Sequence, residues 1–272
     1  KPYNTENDAE KKRIQKSVAT AQLIIDVLAE TGDDDENIPS AKVRIGIDTG
    51  LSLAVNNGRN GNREPLFLGN PANHAAKLAS NNKPRGIYLT NAARKAIGLA
   101  EKDALEKSQL TVEEIKACQD AAKLDVDADK IVREWREDLK NNPIGGYQFT
   151  RQTPPLSDMD ISKLTPANSK RQEMVSIYAD IDGFTAYVAS NIDENAEDVV
   201  RTLHVLRAEL ERVVTTEFKG RRVRFIGDCI QALTCDGTAQ NTDEEKTVSE
   251  ATRLAGGLRS SFNLAIKRLR AK

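Results

Sequence analysis

A strand that ends on one acidic residue, followed later by a hairpin that turns on another, constrains this chain more than any other feature. In residues 175–185, VSIYADIDGFT, Val175, Ile177 and Ala179 alternate with Ser176 and Tyr178, the period of a strand. Asp180 is carried out at the strand end, where Gly183 lets the backbone turn tightly. In residues 222–233, RVRFIGDCIQAL, Val223 and Phe225 alternate before Gly227-Asp228, and Ile230 and Ala232 resume the alternation. That pattern predicts a β-hairpin with an aspartate at its tip. Either motif alone is an ordinary turn. Both together, in this order and a helix-sized segment apart, deliver two carboxylates that can share a pair of divalent cations, as in-line attack on a phosphate requires. Gly183, Phe184 and Thr185 then offer backbone N–H groups where a chain of phosphates would lie.

ADIDGFT and RFIGDCIQAL resemble the class III nucleotidyl cyclases, whose two metal-binding aspartates sit in such a pair. The resemblance implies that Asp180 and Asp228, helped by the carbonyl of Ile181, bind two Mg²⁺ or Mn²⁺ ions per site.

The 272 residues are 39% hydrophobic and 30% charged, with a formal net charge of -1, which fits a globular protein of one large or two ordinary domains. Near-neutral charge gives no support for nucleic acid or an acidic membrane surface as partner. No run approaches a membrane span, and residues 1–7 do not read as a signal peptide, so a cytoplasmic protein without stable membrane insertion is expected. Cys118, Cys229 and Cys235 lack metal spacing and cannot all pair, which points to reduced thiols. With His74 and His204 alone, a histidine-rich metal site is excluded and a hard-cation carboxylate site remains open.

Along the chain, Ile14, Val18, Ala21, Ile25 and Leu28 mark an amphipathic helix over residues 10–30, followed by an acidic turn at 31–40. Alternation in KVRIGIDTG and again at Leu51, Leu53 and Val55 predicts two strands joined near Thr49-Gly50, then a glycine-rich loop at 56–62. A short strand at 66–68 leads to a helix capped by Asn70 with Pro71 as its first residue, then a strand at 86–90 and a helix at 91–97. This stretch resembles the second half of the same family. KVRIGIDTG is similar to its VRIGIHTG strand and LGNPANHAAKLAS to its LGDTVNLAARLES helix. The match implies that Asn73 orients the ribose and that Lys77 stands where an arginine usually braces the reacting phosphate, keeping the charge but not the planar fork. The family pattern stops over residues 100–142. There Thr111 and Glu114 predict a capping box, and Ile131, Val132, Trp135 and Leu139 an amphipathic helix, with Trp135 read as packing. Residues 142–149 read as a strand and 153–171 as a proline-bearing linker. A helical stripe from Val199 to Val213 has His204 as a packed neighbour, and Val248 to Leu269 defines a last long helix.

In the family the aspartate half precedes the asparagine half; here the order is reversed and each half brings its own long helix. The expected organisation is therefore a tandem of two partial cyclase-homology domains, residues 1–150 with a helical insertion at 100–142, and residues 172–272 with the metal aspartates, joined by a linker at 151–171. The front of the first and the back of the second are expected to be absent from this chain. The resemblance implies sites built at a two-fold or pseudo-two-fold interface, by a homodimer or by the tandem pair, so that a single composite site is conceivable.

The lysine that reads adenine in adenylate-forming relatives is replaced by Arg222, and its partner aspartate by Leu66. Arg222 can donate to a pyrimidine carbonyl oxygen, and Tyr187 can fill the space a smaller base leaves. These features are similar to those of the pyrimidine nucleotide cyclases of bacterial anti-phage Pycsar systems. The expectation is an α/β protein with ferredoxin-like sheets that converts UTP or CTP to the 3′,5′-cyclic monophosphate and pyrophosphate. The rival readings are an adenylate cyclase with an altered base pocket, or an inactive homology module that binds nucleotide or dimerises.

Overall fold

The computed structural model describes residues 8–32, 41–57, 64–80, 84–104, 108–143, 145–152, 154, 156 and 159–271. The expected signal-free segment 1–7, most of the acidic turn 31–40, most of the loop 56–62, and positions 153, 155 and 157–158 of the expected linker lie outside the described residues. The chain mixes helix and strand and divides into two compact units, one of Lys1–Ser52 with Gly69–Pro143 and one of Leu53–Leu68 with Ile144–Lys272.

The first unit is built on helix α1 (Ala9–Gly32), strands β1 (Arg44–Ile47) and β4 (Gly86–Leu89), and helices α2 (Asn70–Ser80), α3 (Asn91–Ala96), α4 (Val112–Ala122) and α5 (Ala128–Asn141). β1 and β4 pair in parallel, Arg44 opposite Gly86 and Ile47 opposite Leu89. The helical spacing of Ile14, Val18 and Ala21 lays one face of α1 on Ile87, Leu89, Ala93, Leu110 and Cys118, with Ile45 and Ile47 packed against them. Each fully buried aliphatic side chain there contributes about 1.5–3 kcal/mol. The expected capping box is present: Thr111 Oγ1 accepts from the Glu114 amide and Glu114 Oε2 from the Thr111 amide. Glu114 Oε1 also takes the buried guanidinium of Arg94 at 2.9 Å, tying α3 to α4. Trp135 is corrected from packing to the surface, at 45% exposure, because α5 buries Val132 instead.

The second unit holds the hairpin of β2 (Leu53–Asn57) and β3 (Glu64–Leu68), the short parallel pair β5 (Phe149–Arg151) and β6 (Ser169–Arg171), and strands β7 (Val175–Ala179), β8 (Arg221–Ile226) and β9 (Cys229–Thr234). Its helices are α6 (Phe184–Asn191), α7 (Ala196–Arg212) and α8 (Glu244–Arg270). The last three strands form an antiparallel sheet ordered β7-β9-β8. Leu210 of α7 and Val213 and Val214 of the π-helical turn Val213–Glu217 that follows it pack with Ile230 and Ala232 of β9 and Leu254 and Leu258 of α8. A second cluster joins Leu66 and Leu68 of the hairpin to Phe184, Val188, Val199 and Leu203.

Several expectations change. β1 and β2 flank Thr49-Gly50 as expected but do not pair with each other: β1 pairs with β4, and β2 with β3, in the other unit. The strand expected over 142–149 is only Phe149–Arg151, exposed throughout. The stretch read as a linker holds two 3₁₀ turns, Ile161–Lys163 and Pro166–Asn168, and strand β6. Val223 does not alternate with Phe225, because the register shifts between Arg222 and Arg224 and leaves Val223 in a bulge. His204 is exposed rather than packed. Cys118, Cys229 and Cys235 are free thiols, as expected.

Candidate active site

β7 runs as an alternating strand, and Asp180 follows its last residue. Gly183 adopts φ +73°, a left-handed conformation that costs a glycine nothing, and α6 begins directly after it. β8 and β9 meet through Gly227-Asp228, with Gly227 at φ +65°. A positive φ at the first of two turn residues suits the twist of a hairpin. Since β9 pairs with β7, Ala179 lies opposite Ile230, and the strand end and hairpin tip come to the same edge of the sheet.

Asp180 and Asp228 are thereby neighbours, near enough for the charge of one to act on the other. Burial pushes Asp228 above the usual carboxylate range, its own amide pulls it back, and the Asp180 charge raises it further. The Ile181 amide, near this carboxylate, pulls it down in part. Burial, then Asp180 and Asp228, push the neighbouring Cys229 thiol up. Two adjacent negative charges are disfavoured here, a conflict that a cation would relieve. Among the described residues no group of three or more His, Cys, Asp or Glu side chains is gathered. Two oxygen donors suit a hard cation that completes its shell with water and phosphate oxygens.

The expected phosphate loop is only partly open. The Phe184 amide donates to the Ile181 carbonyl at 3.2 Å, which removes it from the set of available donors. Thr185 sits exposed in the first turn of α6, where helix N–H groups lack intrahelical acceptors. The Phe184 side chain is buried and Tyr187 packs partly against the same cluster as Leu66. Leu66 is 8% exposed, so the position presents hydrocarbon and no acceptor.

Arg222 is held inside the second unit. Its Nε lies 3.1 Å from Glu211 Oε1 on α7, and its guanidinium carbon is 5.6 Å from the Phe225 ring centre, which Arg207 also approaches at 4.2 Å. Glu211 and Arg207 were not singled out by sequence reasoning, and Phe225 was read only as an alternating strand residue. A helix-to-strand ion pair leaves no local spacing to detect, and strict alternation would put Arg222 and Phe225 on opposite faces, which the bulge at Val223 undoes. Asn73 and Lys77 lie on α2 in the first unit, Asn73 half-buried and Lys77 exposed.

No family model matches the chain. It is 82% identical over all 272 residues to a protein from Pseudomonas aeruginosa named uridylate cyclase, and covers 53% of that protein. It is 37% identical over 278 aligned residues, 96% of this chain, to a second protein named uridylate cyclase, from a Rhizobium species, again covering 53% of it. The chain thus spans about half the length of these curated relatives. A crystal structure described as a class III adenylyl cyclase-like ATP-binding protein from Pseudomonas aeruginosa superposes with a TM-score of 0.94 at 82% identity, over the whole of this chain and 57% of that one.

Proposed function

We propose, on the footing that this chain is related to class III nucleotidyl cyclases and to the pyrimidine cyclases among them, that it takes part in converting a pyrimidine nucleoside triphosphate, UTP before CTP, to its 3′,5′-cyclic monophosphate and pyrophosphate. The observation that carries the reading is the meeting of Asp180 and Asp228, with the buried member pushed up by burial and by its neighbour. Their oxygens, with the Ile181 carbonyl, would hold two Mg²⁺ or Mn²⁺ ions, which lower the pKa of a ribose hydroxyl and neutralise phosphate charge. Gly183 and Thr185 offer amides to the triphosphate. Asn73 orients the ribose and Lys77 supplies positive charge to the reacting phosphate. Arg222 donates to a base carbonyl, and Tyr187 with Leu66 narrows the space around a single ring. Ferredoxin-like domains with α4 and α5 as an insertion, pairing of cyclase domains about a two-fold, a cytoplasmic setting and a role in anti-phage signalling belong to the same proposal. Among the described residues no helix is long and apolar enough to cross a membrane.

The solved relative described as ATP-binding favours a second reading, an adenylate cyclase with an altered pocket. Incubating the protein with Mn²⁺ and each of the four triphosphates, and identifying the product by mass spectrometry, separates the two. Cyclic UMP is expected in excess, and Asp180→Ala should lower its formation by at least about a hundredfold. Unchanged turnover in that variant overturns the metal assignment, and a preference for ATP overturns the base assignment.

A further inference from the structure

Three successive positions on one face of β1 and its extension take hold of α2. At one end, Arg44 donates from a terminal guanidinium nitrogen to the Ala79 carbonyl at 3.2 Å, near the C-terminus of the helix. In the middle, a Cβ on Gly46 would collide with the Ala75 carbonyl oxygen and lie 2.7 Å from Leu78 Cβ, so the helix rests on bare backbone. At the other end, Asp48 Oδ2 receives His74 Nδ1 at 3.0 Å while Oδ1 accepts from the Thr90 hydroxyl. The Asp48 side chain is 2% exposed and that of His74 49%. A buried carboxylate is costly unless each oxygen is bonded, and here each has a partner. Thr90 also caps α3 by accepting from the Ala93 amide, so Asp48 links α2 to the start of α3 through one side chain.

We infer that Asp48 and His74 form a positioning pair that fixes the rotation of α2, and with it the aim of Asn73 and Lys77. This rests on the reading of α2 as the helix that engages the nucleotide. Contacts with Gly46 and Arg44 reach the backbone of α2, at Ala75 and Ala79, and set how near the helix lies, but neither grips a side chain of the turn that carries Asn73. His74 does, being next to Asn73 and one turn from Lys77 on the same helix.

The test is cyclase turnover by the full chain carrying His74→Leu, Asp48→Asn or both, with His74→Asn and His74→Gln alongside. Misaimed groups act at the transition state, so each of the first two variants should lose about tenfold in kcat with KM changed less than about twofold, and the double variant no more than either single. An asparagine amide nitrogen can stand where Nδ1 stands and that of glutamine cannot, so His74→Asn should keep most activity and His74→Gln should not. In His74→Leu, amide exchange should quicken in α2 and stay unchanged in β4. Wild-type kcat in His74→Leu, or equal effects of Asn and Gln, overturns the inference. If the unaltered protein makes no cyclic product from any triphosphate, the reading of α2 as a substrate helix fails instead. Exchange then decides the pair by itself, and unaltered α2 protection in His74→Leu overturns it.

Discussion

Asp228 carries a conflict that a cation would resolve. Its carboxyl is pushed up by burial and by Asp180, so the fold favours its protonated form. Such a group adds stability at low pH that is lost as pH rises through its folded pKa. Asp228→Asn should therefore raise the melting temperature of the protein in a chelator at neutral pH. On the proposed metal assignment, Mn²⁺ should stabilise the unaltered protein and the same change should abolish that effect. Calorimetry with and without Mn²⁺ measures both, and a lowered metal-free melting temperature would count against the account. Glu209 has the opposite sign. Arg212 grips it through a terminal nitrogen at 2.8 Å and Nε at 3.1 Å, Ser261 adds a hydrogen bond, and its carboxyl is lowered from 4.5 to about 2. Stability from that pairing is present above the ordinary value and is lost as pH falls toward about 2. Glu209→Gln should melt at a temperature that changes less than the unaltered protein's between about pH 5 and about pH 2. Both aspartates of the sheet edge were legible because a strand period and a turn glycine announce where a side chain must go. The engagement of Arg222 by Glu211 was not, since it depends on how α7 lies on β8.

Elements were legible where the pattern was local and illegible where their partners were distant. The periods of α1, α7 and α8 fix those helices, and Asp243, which accepts from the Lys246 amide, caps α8 where acidic residues begin and basic ones end it. Strand period also found β1 and β2, but period says nothing of pairing, and the two strands went to different units. The bulge at Val223 was hidden because an inserted residue mimics continued alternation. Gly256 and Gly257 in α8 make a sharper comparison. A Cβ at Gly256 meets nothing within 4 Å, whereas one at Gly257 would lie 2.7 Å from Phe218 Cε2. Gly256→Ala should stabilise the protein by up to about 1 kcal/mol through helix propensity. Gly257→Ala should lose that gain and about 1–3 kcal/mol more, as the ring is driven from its place against the helix. Urea midpoints of the two variants decide it, and equal midpoints would show that Phe218 yields freely.

At the scale of the molecule, the second unit depends on a hairpin drawn from early in the sequence. Leu66 and Leu68 of β3 close a cluster whose other members come from α6 and α7. Residues 144–272 produced alone should therefore expose Phe184, Val188, Val199 and Leu203, bind a hydrophobic dye and aggregate. Fusing residues 53–68 to them should restore a cooperative melt. A monomeric, cooperatively melting 144–272 would show that the hairpin is dispensable. This borrowing was not legible, because nothing in LSLAV or EPLFL says which core will receive it. The chain passes from one unit to the other after Ser52, after Leu68 and again after Pro143. Heredity feels that threading: a single crossover between genes cannot exchange either unit intact, and leaves at least one of them with a foreign part.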